Sequence, residues 1–257
     1  MNRKFVEKFL TSVLIITILL TACSEKDPLP LSSASFEVST VSPEVFNEIE
    51  FENLSTNATS YEWDFGDGSE KSTEKAPRHT YEESAEFIVT LKAFTQDNQV
   101  STETQVVRVG ERYLTGMYFA NINMKDAEGN PWDDDGSGPD VLMQLGPSDF
   151  EQEEEIVGFF QDSIQTEDFE TAFGISVSNL LPEDYMLTNK EFFILLEEVD
   201  TVENEAVFTP MIELRFNPVV VDGEAITEVK RADGSGDLTL PFITTDEYHF
   251  FLQFEIR

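Results

Sequence analysis

From residue 34 onward the chain alternates apolar and polar residues with a period of two, in short runs broken by turn residues. Between Ala34 and Val109 no stretch of helix length intervenes. In EVFNEIEFEN (44–53), Val45, Asn47, Ile49 and Phe51 alternate with residues that are mostly acids. In YHFFLQFEI (248–256), Tyr248, Phe250, Leu252, Phe254 and Ile256 do the same against His249, Gln253 and Glu255, and only Phe251 breaks the pattern. Successive side chains of a strand point to opposite faces, so this period specifies strands with one face buried. The expected fold class is all-β.

The strands fall into two sets, and 257 residues suffice for two domains. Between Ala34 and Val109 the runs are 44–53, TSYEWDF, EFIVTLKAF and VSTETQVVRV, which predict a β-sandwich of about eighty residues. Residues 112–257 carry about eight more: YLTGMYFANINM, VLMQL, IVGFFQ, TAFGISV, EFFILLEE, TPMIELRF, LTLPFI and the final run. They predict a second two-sheet sandwich, so the expectation is two tandem β-sandwiches. RADGSGD (231–237) reads as a hairpin turn and the acidic EQEEE (151–155) as a solvated face or hairpin loop.

The first 22 residues are read as an address. MNRKFVEKF supplies positive charge, and LTSVLIITILL is apolar but short for a membrane span. They end in Leu20-Thr21-Ala22-Cys23, which resembles a bacterial lipobox, in which the Cys is acylated. Cys23 is the one cysteine of the chain, so no intramolecular disulfide can form, and its sulfur is read as a lipid attachment point. Residues 23–33 (CSEKDPLPLSS) are polar and proline-containing and read as a tether. Acids close behind the cysteine leave surface exposure and periplasmic retention at the outer membrane both open.

Fifty-one acids against 16 bases, a net charge of −35, repel nucleic acid and attract cations. With two His residues, no G-x-S-x-G, no H-E-x-x-H and no glycine-rich phosphate loop, catalytic signatures are scarce. The expectation is a non-enzymatic binding or adhesion module. A carbohydrate-active enzyme's accessory subunit or fragment is one alternative, because glycoside hydrolysis needs only two carboxylates. A purely structural envelope spacer is another.

Within the first sandwich, Phe51-x-Asn53-x-Ser55, then Trp63-Asp64-Phe65-Gly66-Asp67-Gly68-Ser69, then Pro77-x-His79-x-Tyr81 resemble the PKD domain, an immunoglobulin-like sandwich, over residues 34–109. The resemblance implies an extracellular spacer or a binding module for protein or polysaccharide. The residues themselves agree with such a fold. Trp63 and Phe65 share a buried strand face, and Gly66 and Gly68 tolerate positive φ where the strand reverses. Asp64 and Asp67 are placed to accept backbone N–H groups of the turn. His79 and Tyr81 share a face, and the Tyr81 hydroxyl can pin a strand crossing. A structural role for Asp64, Asp67 and His79 is expected over a catalytic one.

In the second sandwich two acidic stretches are expected to be loops: DAEGNPWDDDGSGPD (126–140) and EEVDTVENE (197–205). Strand, acidic loop and a short "PD-V-x-x-x-L" strand resemble the calcium-binding C-two-type sandwich of synaptotagmin and protein kinase C. Asp134 and Asp140 match its six-residue spacing, and Glu198-x-Asp200 matches its later Asp-x-Asp. The turn runs Gly138-Pro139-Asp140 instead of Asp-Pro, Glu198 stands for an Asp, and the next acid would fall on Ala206, with Glu205 adjacent. Asp133, Asp134, Asp135 and Asp140 lie within eight residues, interleaved with Gly136 and Gly138. Calcium takes six to eight oxygen ligands and suits such loops. If the loops converge, Asp133, Asp134, Asp135, Asp140, Glu198 and Asp200 hold calcium; if they splay into water, no ion is needed. An EF-hand does not fit, because Pro131 would occupy its first ligand position. Expected partners are the membrane lipid and a polysaccharide or protein ligand.

Overall fold

A computed structural model describes residues 30–126, 128–133, 137–151, 155–164, 175–176, 181–221, 226–241 and 249–257. The leader at 1–22, Cys23 and most of the tether, Asp134, Asp135 and Gly136, residues 152–154 of the EQEEE stretch, and Tyr248 lie outside the described residues. Among the described residues there are sixteen strands and no α-helix.

The first six strands make two three-stranded sheets. Strands β1 (Phe36–Val38), β2 (Glu48–Asn53) and β4 (Arg78–Thr80) form one, in the order β1-β2-β4. Strands β3 (Ser60–Asp64), β5 (Ala85–Phe94) and β6 (Val100–Val109) form the other, in the order β3-β5-β6. Their inner faces enclose Phe36, Ile49, Phe51, Trp63, Phe65, Tyr81, Val89 and Leu91. Trp63 is fully buried and touches Phe36 edge-on, with ring centroids 5.2 Å apart. A side chain of that size removes about 150–250 Å² from water, a large share of so small a core.

Ten strands follow. Strand β7 (Arg112–Asn121) pairs with β16 (His249–Ile256), β10 (Ile175–Ser176) and β11 (Met186–Leu187), and β15 (Ser235–Pro241) and β14 (Thr227–Lys230) complete that sheet. The facing sheet runs β13 (Glu205–Phe216), β12 (Phe192–Val202), β8 (Val141–Pro147), β9 (Val157–Gln161). Phe119, Met143, Phe192, Ile194, Phe250 and Leu252 are among the residues packed between them. Phe251 is half-buried, and the ladder of β16 shifts register at His249/Phe250 and at Gln253/Phe254. The turn at 231–234 joins β14 to β15, with Gly234 at φ 85°.

One expectation is corrected. Residues 197–205 are not a loop: β12 runs through Val202, reverses at Glu203 and Asn204, and returns as β13 from Glu205. Both turn residues have positive φ (54° and 70°), the type I′ geometry whose twist suits a two-residue hairpin. A bulge at Leu196/Glu197 admits Pro210 into edge strand β13, where a missing N–H costs no central ladder bond.

The two sandwiches meet without a spacer. Only Gly110 and Glu111 separate β6 from β7. Gly110 bonds back to Pro43 and Val45, and Glu111 exchanges backbone bonds with Arg257. A Cβ on Gly110 would lie 2.5 Å from the Arg257 carbonyl oxygen, so glycine alone fits there. Across this joint the guanidinium of Arg112 donates to both oxygens of Glu44, from Nε at 2.6 Å and Nη2 at 2.7 Å. Arg112 also donates to the Pro218 carbonyl and to Glu228, and it lies 3.9 Å from the Phe254 ring centroid. Lys230 and Asn47 complete the shell of Glu44.

A carboxylate site at one end of the second sandwich

The turn motif of the first sandwich resolves as architecture. The Asp64 carboxylate accepts the Gly66 N–H, and Asp67 accepts both the N–H and the hydroxyl of Ser69. Gly66 and Gly68 have φ of 81° and 82°. His79 stacks on Phe65 at 4.1 Å and bonds Asp67 through Nε2 at 2.7 Å. The buried Tyr81 hydroxyl donates to the Phe65 carbonyl at 3.0 Å, and burial pushes its pKa upward. These bonds hold the turn and a strand crossing together.

A second group of acids lies at one end of the second sandwich. On β12 the residues Ile194, Leu196 and Glu198 point inward, and Glu198 continues the apolar stripe as a carboxylate. It is 1% exposed. Two residues on, Asp200 shares that face at the end of the sandwich, where the hairpin begins to project. The 126–140 segment supplies the third carboxylate, Asp133. That segment is anchored by Asp126, whose side chain accepts N–H groups of Glu128 and Asn130, and by Trp132, whose indole donates to the Asn123 carbonyl. Asp133, Glu198 and Asp200 bring one oxygen each to within 4.8 Å of one another.

The electrostatics of this triad are unfavourable as they stand. Three carboxylates at that separation repel by about 3 kcal/mol per pair at an effective dielectric of about 20. Glu198 accepts only a long bond from the Asp140 N–H, 3.3 Å to Oε1, while its buried Oε2 has no hydrogen-bond partner among the described residues. Burial, with the charges of Asp133, Asp200 and Asp140, pushes its pKa up to about 7. A buried acid without a compensating donor is costly unless a proton or a cation meets it.

Asp140 borders the triad without joining it. Its carboxylate accepts the Ser163 N–H at 2.7 Å. Burial and the neighbouring Asp162 and Asp133 raise its pKa despite that bond. Asp162 had no motif to reveal it. It comes close because Val141 pairs with Gln161 across β8 and β9, which puts 140 and 162 opposite each other just beyond the ladder. Glu205 stands opposite Val202 at the hairpin tip, outside the triad, and Ala206 stands opposite Thr201. Of the six expected ligands, the structure brings Asp133, Glu198 and Asp200 together and puts Asp140 beside them; Asp134 and Asp135 lie outside the described residues.

Among known proteins, residues 32–110 match the family described as PKD domain. Solved structures similar to that part include the PKD1 domain of Vibrio anguillarum Epp, 27% identical, covering 31% of this chain and 94% of that one, with a TM-score of 0.28. The PKD1 domain of the Vibrio cholerae metalloprotease PrtV is 31% identical, covering 31% of this chain and 98% of that one, also at 0.28. A structure described under the specificity of carbohydrate-binding modules from the β-sandwich superfamily covers 90% of this chain and 92% of its own at 12% identity and a TM-score of 0.31.

Proposed function

We infer that this chain, whose residues 32–110 belong to the PKD domain family, is a non-catalytic, lipid-anchored envelope module with a calcium site in its second sandwich. The Cys23 acyl chain holds it to the outer membrane. The calcium-loaded end of the second sandwich engages a carbohydrate or protein partner, while the PKD domain stands between that end and the anchor.

The observation that carries the reading is the buried Oε2 of Glu198, without a hydrogen-bond partner among the described residues, beneath two half-buried aspartates. A divalent ion there removes the mutual repulsion of the triad and supplies the missing partner at once. The donor set is all oxygen, which selects a hard cation, and a strand-plus-loop frame suits calcium's tolerant geometry better than the strict octahedron of magnesium. Asp140 borders the same group. No step in this function requires bond chemistry. The carboxylates bind the ion, and the ion ties Asp133 to β12.

Calcium titration by calorimetry tests this, with Glu198→Gln and Asp133→Asn as controls. Saturable binding at micromolar to millimolar calcium, lost in Glu198→Gln, is the expected outcome. Equal heats in the wild type and that variant would sink the reading.

A further inference from the structure

The calcium reading leaves open what the ion meets on its outer side. Three carboxylates provide between three and six oxygens, and calcium takes six to eight. Glu198 forms the floor, while Asp133 and Asp200 are partly exposed, so the positions that the triad does not fill lie on the side of these two aspartates at the end of the sandwich. We propose, resting on that reading, that these outer positions take neighbouring hydroxyls of an uncharged glycan.

Charge decides between oxygen ligands. The triad outweighs a divalent ion by one negative charge, and Asp140 and Asp162 adjoin it. The charges that act on Glu198 are the carboxylates of Asp133, Asp200 and Asp140. The whole chain carries −35. A phosphate, a uronate or an anionic bilayer must approach through that field, whereas a vicinal diol replaces two waters on the ion with no charge brought in.

The flank of the site fits the other half of a sugar. Val207 pairs with Asp200 and shares its face, and it is 41% exposed. Val202, on the same face one step further out, is 54% exposed, and Phe208 on the hairpin's other side is 50% exposed. A pyranose carries hydroxyls on its rim and C–H groups on its faces. It can therefore coordinate the ion with its rim while covering Val207 and Val202. A fully polar ligand leaves those side chains in water.

The test uses the full chain in detergent and three probes: soluble galactomannan, polygalacturonate, and vesicles containing phosphatidylserine. In millimolar calcium, galactomannan retention is expected, falling at least tenfold in EDTA and in Glu198→Gln. Val207→Ser is expected to weaken it severalfold while calcium calorimetry stays unchanged. Unaltered calcium binding with no galactomannan retention overturns the glycan inference alone. Tighter calcium-dependent binding to polygalacturonate or to the vesicles also overturns it. Absence of calcium binding defeats the underlying reading and the inference with it.

Discussion

Replacing Arg112 by Met should both destabilise the chain and uncouple its two sandwiches. Arg112 and Glu44 have fully buried side chains, and Arg112 makes four hydrogen bonds, two of them to Glu44 across the joint. Removing one member of a buried ion pair costs about 3–5 kcal/mol, chiefly because the other charge is left uncompensated. Here Lys230 and Asn47 still meet Glu44, and Glu228 is partly exposed, so the loss belongs at the low end, about 3 kcal/mol. The chain's two tryptophans make the assay, because Trp63 lies in the first core and Trp132 in the second sandwich. With 5-fluorotryptophan, fluorine NMR along a urea series reads the two halves separately. The wild type should lose both native signals together, and Arg112→Met should split them. Arg112→Met/Glu44→Gln should cost less than the sum of the single changes by about 1–2 kcal/mol. A single-variant loss below about 1 kcal/mol, or strict additivity, would refute the view of this contact as a lock between domains.

Further expectations concern the first sandwich and the anchor. Burial alone would raise the Asp67 pKa, but bonds from Ser69 and His79 hold it below the ordinary 3.8. A carboxylate with a depressed folded pKa contributes stability above its unfolded value and loses it as pH falls through the folded one. Asp67→Asn should therefore flatten the acid limb of the Trp63 unfolding profile below about pH 4, and an unchanged limb would disprove the linkage. Gly66→Ala should cost more than Gly68→Ala, since both sites have positive φ but only Gly66 has the Ile88 carbonyl 2.6 Å from a built Cβ. The shared backbone term is about 1–2 kcal/mol, so equal denaturation midpoints would show that the close approach relaxes freely. Cys23→Ser should abolish incorporation of an alkynyl palmitate analogue in cells, and retained label would place any acylation elsewhere.

The alternation of Phe51, Trp63, Phe250 and Leu252 made the all-β class legible, because a buried face imposes its period directly on sequence. The three-residue strands β1 and β4 and the two-residue β11 are too short to show any period. The stretch 197–202 misled for a different reason. Its inward positions hold Glu198 and Asp200 where apolar residues would mark a strand, and Glu203-Asn204 lacks the glycine that usually signals a tight hairpin. The residue choice that disguised the strand is the one that builds the site. Convergence of Asp133 with Glu198 depends on how a loop packs against a strand sixty-five residues away, and Asp162 depends on register. Glu44 and Arg112, too, are 68 residues apart, with no pattern to link them.

Crystals grown in calcium and measured for anomalous scattering address the central claim most directly. An ion about 2.3–2.6 Å from carboxylate oxygens of Asp133, Glu198 and Asp200 is the predicted result. An ordered triad with no peak among these three side chains, at calcium concentrations that saturate the calorimetric signal, would contradict it.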